Sequence, residues 1–187
     1  MKSVMIFLIV FIVTKNIQSQ NNFEVTLSGS ILKFSNEGAR IIGDKYLFVT
    51  PVLGLAYNIN KQFSLKFELA LTTINDIGIM SNSIGYNSYG MYGVYHLDFF
   101  KNFKPYVLVG GTFVKAAMKR TPTLNFGIGN SFWISNKIAI NTQLAYKFSE
   151  KRFESMQPHF QFSLGVVYKF HIGSIFRRKS ICKTNGF

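Results

Sequence analysis

Residues 159–170 alternate without a break. Phe160, Phe162, Leu164, Val166, Tyr168 and Phe170 occupy one parity, and His159, Gln161, Ser163, Gly165, Val167 and Lys169 the other. Successive side chains of a β-strand point to opposite faces, so this sequence sets an apolar face with an aromatic end against a mostly polar face. A strand that is greasy outside and polar inside is what a transmembrane β-barrel needs. Residues 63–73 show the same asymmetry, with Phe63, Leu65, Phe67, Leu69 and Leu71 opposing Ser64, Lys66, Glu68, Ala70 and Thr72. A further segment repeats it, with Ile138, Ile140, Leu144, Tyr146 and Phe148 opposing Asn141, Gln143 and Lys147.

Read with period two, the chain resolves into eight strand-length segments. The others are 23–33, 46–57, 86–97, 104–114 and 123–133. In the first, Phe23, Val25, Leu27 and Ile31 oppose Glu24, Thr26, Ser28 and Ser30. The second is irregular: Phe48 and Val52 fall opposite Leu47, Val49, Leu53 and Leu55, and Pro51 removes a ladder donor, which predicts a bulge or weakened pairing there. Gly90, Gly93, Gly110, Gly111, Gly127 and Gly129 are expected to relieve crowding where strands bend around a narrow barrel. The gaps 58–62, 98–103 and 134–137 are short and carry Asn or Asp turn chemistry. The gaps 34–45, 74–85, 115–122 and 149–158 are longer and more polar. This alternation predicts an all-β fold: an eight-stranded antiparallel transmembrane β-barrel with short periplasmic turns and longer extracellular loops.

The N-terminus adds export. Lys2 precedes an apolar run over 4–13 and a mostly polar stretch over 14–20, the order of a secretory signal peptide, with a core too short for a membrane helix. Residues 1–20 are therefore expected to be a signal peptide, 21–170 the barrel and 171–187 a basic tail. Beyond the leader no window of 18 apolar residues occurs, although 48% of the chain is hydrophobic, with 20 Phe and 9 Tyr. Aromatic content without a long apolar run favours alternating strands.

The formal charge of +13 includes Lys2 and Lys15 of the leader, and the densest cluster is Arg177, Arg178, Lys179 and Lys183. An exported chain without a nucleic-acid module is not expected to bind nucleic acid, and anionic lipid headgroups are the more economical partner. The single cysteine, Cys182, makes no intramolecular disulfide, and no Cys/His cluster points to a metal.

From Asn125 onward the chain resembles a known family. The stretches Asn125-Phe126-Gly127-Ile128-Gly129, Trp133-Ile134-Ser135-Asn136-Lys137, Gln143-Leu144-Ala145-Tyr146-Lys147 and 158–170 are similar to the closing strands of Bacteroidetes outer-membrane β-barrel domains of the outer-membrane protein A type. The end of the leader, Ser19-Gln20, resembles signal ends common in the same bacteria. Within the last strand, Ser163, Gly165, Tyr168 and Phe170 resemble the C-terminal signal that the β-barrel assembly machinery reads. The resemblance implies residence in the outer membrane of a Gram-negative bacterium, among lipids and lipopolysaccharide, and no catalytic residues or cofactors. Residues 171–187 are too few for the peptidoglycan-binding domain that follows such barrels elsewhere, so that function is not carried over.

Eight strands enclose an interior that side chains nearly fill. The inward charges are expected to be Glu24, Lys66, Glu68, Lys147 and Lys169, with His96 and His159 near strand ends, and charges in such a lumen must be paired. A structural or surface-interaction role with a plugged lumen follows, with an extracellular ligand at the loops left open and a monomer expected. The alternatives are a narrow ion or solute channel and a lipid-modifying enzyme. For the enzyme, His159 and Ser163 share a face but lie roughly 13 Å apart along a strand, too far for a dyad. Ser155 or Glu154 in the preceding loop would be the other partners of His159. A soluble lipocalin-like barrel would reverse the faces, with the apolar side inward.

Overall fold

The computed structural model describes residues 22–35, 45–71, 85–97, 102–116, 119–149 and 158–171. The expected leader, most of the tail, and the gaps 36–44, 72–84 and 150–157 lie outside them. Eight strands follow one another: β1 (Asn22–Phe34), β2 (Tyr46–Asn58), β3 (Phe63–Leu71), β4 (Tyr86–His96), β5 (Phe103–Ala116), β6 (Lys119–Trp133), β7 (Ile138–Phe148) and β8 (His159–His171). Each pairs antiparallel with its neighbours, and β1 closes on β8, giving a barrel in sequence order. Closure leaves no free edge, so the backbone donors and acceptors of the strands are satisfied within the ladder.

Side-chain facing follows the alternation. Lys66 and Glu68 are buried inside while Phe67, between them, is 46% exposed. Thr26, Ser64, Ser88, Thr112, Asn125, Asn141, Gln143 and Ser163 are buried, whereas Leu27, Met91, Val109, Ile128, Leu144 and Leu164 are exposed. The apolar side therefore faces outward, which excludes the soluble arrangement with its greasy core inside.

The irregularity of β2 is a bulge. Ser28 pairs with Val52 but Ser30 pairs with Val49, so Thr50 and Pro51 together oppose Gly29. The extra residue flips the parity. Before the bulge Leu47 and Val49 point inward, and after it Val52 does, while Leu53 and Leu55 point outward. The pattern that looked mixed is two clean alternations joined out of phase.

One expected loop is not a loop. The gap at 115–122 is mostly strand: Lys115 pairs with Arg120 and Ala116 with Lys119. The alternation continues through it, with Val114 and Thr121 buried in the lumen, but three cations at Lys115, Lys119 and Arg120 disguise it as polar connection. Of the expected short turns, those after β2 and β6 are described, while most of 98–103 lies outside the described residues. Asn60 Oδ1 accepts from the backbone N–H of Gln62 and Phe63, at 2.8 and 2.7 Å. In the turn after β6 the acceptor is Ser135 Oγ rather than Asn136, reached by Lys137 N–H at 3.3 Å and Ile138 N–H at 3.1 Å.

The glycines divide. At Gly110 an added Cβ would lie 2.7 Å from Tyr92 Cα and 2.8 Å from its ring, and at Gly129 it would strike the Tyr106 ring. These inward glycines make room for two lumenal tyrosines. Gly93 and Gly111 face outward, and the nearest atom to an added Cβ is 3.8 Å and 3.7 Å away, so the expectation of crowding fails at those two positions.

Candidate functional site in the barrel lumen

The lumen has two layers. Towards the long-loop end, Leu32, Phe34, Leu47, Val49, Val52, Ala70, Tyr86 and Val114 form a buried apolar cluster. The bulge in β2 creates part of it, because it turns Leu47 and Val49 inward. Below it, towards the short turns, the lining is mixed, with polar side chains beside a second buried cluster of Tyr92, Val94, Tyr106 and Leu108.

The charges predicted from the sequence lie in that lower layer or beside the apolar cluster above it, but they do not form one network. Lys66 Nζ and Glu68 Oε2 form an ion pair at 3.1 Å. Lys66 also donates to Gln143 Oε1 at 2.8 Å, and Gln161 Nε2 reaches Glu68 Oε1 at 3.4 Å. Tyr106 OH donates to Gln143 at 3.2 Å and accepts from Asn141 Nδ2 at 3.0 Å, so the pair is tied to β5 and β7. A buried ion pair needs such additional hydrogen bonds to offset the desolvation of its charges. Lys147 lies apart: its Nζ donates to Tyr86 OH at 3.2 Å and stands 5.7 Å from the centre of that ring. Lys169 sits near the turn end with Nζ 5.6 Å from the centre of the Trp133 ring.

Glu24 heads a relay. Asn58 Nδ2 donates to Glu24 Oε1 at 2.9 Å, Ser64 Oγ donates to Asn58 Oδ1, and Ser64 Oγ meets His96 Nε2 at 2.8 Å. A Ser–His contact is thus present, but on residues that the sequence offers no reason to pair. Their proximity comes from the register, in which Ser64 opposes Val94 and His96 lies two residues further along β4. Ser64 gives its proton to Asn58, so its oxygen is not activated by His96 as a base. The pair considered from the sequence does not form: His159 contacts Tyr86 OH at 3.4 Å and the Phe34 ring at 4.9 Å, while Ser163 bonds to Ser30 at 2.7 Å. Ser155 and Glu154 lie outside the described residues.

The four residues of the terminal signal sit at the β1–β8 seam or beside it. Ser163 reaches across to Ser30, and the Phe170 ring stacks on Phe23 at 5.7 Å between centres. Gly165 opposes Ser28, and a Cβ there would lie 2.7 Å from Ser28 Cα and collide with Leu27 O. Tyr168 is exposed on the outer face.

On the outer face aromatic rings gather at both ends of the strands. Phe23 and Tyr57 (5.1 Å) and Phe63 and Tyr95 (4.9 Å) flank the short turns. Tyr89 and Phe113 (5.7 Å) and Tyr146 and Phe160 (4.9 Å) lie towards the loops. The outward run from Phe160 to Tyr168 covers roughly 27 Å along the strand, or about 20 Å of barrel height at the usual tilt. Two girdles around an apolar band complete the geometry.

The fold is that of small outer-membrane barrels. The N-terminal β-barrel domain of OprF from Pseudomonas aeruginosa superposes with a TM-score of 0.59 at 14% identity, over 82% of this chain and 100% of that one. Ail, the attachment invasion locus protein of Yersinia pestis, gives 0.52 at 15% identity, over 81% and 100%. A de novo designed transmembrane β-barrel gives 0.53 at 16% identity, over 82% and 98%. Neither a family model nor a curated protein matches the sequence. That a designed chain shares the geometry means that the barrel by itself specifies no activity.

Proposed function

We propose that this protein resides in the outer membrane as a small, closed barrel with a structural or surface-interaction role, presenting its loops outside the cell. The observation that carries this reading is the reversal of sides: a continuous apolar face with two aromatic girdles outside, and polar groups inside. In water that outer face would be a large aggregation surface, whereas hydrocarbon solvates it. The partners that follow are outer-membrane lipids and lipopolysaccharide, with the β-barrel assembly machinery during insertion. Ligands at the loops would set any specific role.

A narrow channel is the second reading, favoured by the polar lining between Glu24 and Gln161. The apolar cluster above it opposes conduction, because ions would have to cross a layer occupied by Phe34, Leu47, Val49 and Tyr86. Reconstitution into planar bilayers decides between them. The closed reading expects no steady conductance; a reproducible, ion-selective current from folded protein would replace it with the channel.

A further inference from the structure

Asn130 on β6 and Thr142 on β7 are register partners on the outward parity, Asn130 between Ile128 and Phe132, Thr142 between Ile140 and Leu144. Across the strands the pair is flanked by Pro105 on β5 and Leu164 on β8, so apolar groups surround it on all sides. Leu164 is the central member of the outward run from Phe160 to Tyr168. At the usual tilt, cross-strand neighbours differ in depth by about 3 Å per strand. Thr142 therefore lies within about 3 Å, and Asn130 within about 6 Å, of the middle of the apolar band.

At that depth hydrocarbon offers neither donor nor acceptor, and an amide on so short a side chain cannot reach the headgroups as a lysine would. Asn130 Oδ1 is buried and meets no donor among the described residues. A second protein surface that brings hydrogen-bonding groups into the bilayer removes this cost, as polar side chains do where membrane segments join. The chemistry of the pair names that surface. A carboxamide and a hydroxyl each donate and accept, so two copies of the pair satisfy one another, which two lysines or two carboxylates could not do. Chains inserted by one route share an orientation, so a two-fold axis relating them runs along the membrane normal and keeps each residue at its own depth. Asn130 and Thr142 stand roughly 5 Å apart on neighbouring strands. An axis passing between them sets Asn130 of each copy against Thr142 of the other, and a turn about the soft terminal torsion of Asn130 presents either end of its amide.

We propose that the outer face of β6 and β7 is the interface of a symmetric dimer of this protein within the membrane, joined by reciprocal hydrogen bonds between Asn130 and Thr142. The exposed side chains of Ile128, Ile140, Leu144 and Val166 surround the pair and supply the apolar contact. The monomer expected from the sequence gives way to two closed barrels side by side. This rests on the reading that the barrel sits in the outer membrane, and it adds a lateral partner to whatever the loops contact.

The test is energy transfer between copies in vesicles. Cys182, the single cysteine, takes a donor or an acceptor fluorophore in urea, and the labelled chains are refolded together into dilauroylphosphatidylcholine vesicles. Transfer should exceed the level of random proximity and rise linearly with the acceptor fraction, as a dimer requires. Asn130→Leu/Thr142→Val keeps both side chains close in size and should need at least tenfold more protein per lipid for the same transfer, with the unheated-gel mobility of a folded barrel retained. Leu69→Val, on the outer face of β3, should leave transfer as in the wild type. In cells, a benzophenone side chain in place of Ile128 should cross-link to a second copy. Random-level transfer in the wild type, transfer unchanged in the double variant, or cross-links to lipid or to another protein alone would overturn the interface. A chain that does not insert into vesicles would overturn the outer-membrane reading and the interface together; an inserted, heat-modifiable barrel that does not associate overturns the interface alone.

Discussion

Glu24 on β1 sets the proton position on His96 of β4 without touching it. A carboxylate accepts hydrogen bonds only, so Asn58 must turn its Nδ2 towards Glu24, which leaves Oδ1 facing Ser64. Ser64 must then donate to Asn58, and His96 must present Nε2–H to Ser64. One anion thus orients every donor in a chain across four strands at the turn end of the lumen. It also explains why a serine beside a histidine is not a nucleophile here.

The relay predicts that His96 carries its proton on Nε2. Side-chain nitrogen resonances of His96 in the folded, detergent-solubilised protein should show this tautomer, and Glu24→Gln should change the proportions of the two tautomers. An Nδ1–H tautomer in the wild type would contradict the direction of the chain.

A second prediction concerns the seam. Gly165→Ala places a methyl group against Leu27 O and Ser28 Cα at the β1–β8 junction, where the collision is with backbone and cannot be relieved by a rotamer change. The expected loss is about 1–3 kcal/mol, as for other overpacked sites, with less folded barrel on an unheated gel. Phe170→Ser removes an interfacial ring and its stacking on Phe23, and should lower assembly in cells more than refolding in detergent if the assembly machinery reads this residue. Equal loss in both settings would make Phe170 a packing residue alone.

The outward and inward parities should respond oppositely to charge. Phe67→Arg puts a cation on the apolar band and should cost roughly 2–4 kcal/mol near the midplane of a bilayer, read from the denaturant midpoint in liposomes. Gln replacing Leu144, also outward, should be milder because no full charge is buried.

Glu68→Gln leaves Lys66 without its carboxylate in the buried layer. Breaking such a pair costs about 3–5 kcal/mol, so stability should fall while conductance stays absent, since the apolar cluster above is untouched. A current that appears with Glu68→Gln in a barrel of unchanged stability would place the gate at the ion pair instead.

The strand pattern was legible because membrane strands make it loud: β7 and β8 follow the periodicity almost residue for residue, and β3 up to Leu71, where the described residues stop. The bulge in β2 was legible as well, because Pro51 and the mixed parity around it mark its place, although they leave open which way Leu47 and Val49 point. One feature was hidden by chemistry that mimics something else: the cations at Lys115, Lys119 and Arg120 read as loop when they continue β5 and β6. The charged residues of the lumen were legible as a set, because inward parity follows from the alternation. Their partners were not, because cross-barrel neighbours such as Lys66 and Gln143 depend on barrel curvature and strand stagger, which no local pattern encodes.

The outer face meets either lipid or water, and the two leave different traces in the cell. The decisive measurement is cell fractionation followed by carbonate extraction and gels run with and without heating. A protein in the outer-membrane pellet, resistant to carbonate and migrating faster unheated than heated, is the predicted result; recovery as a soluble monomer from the periplasm would contradict it.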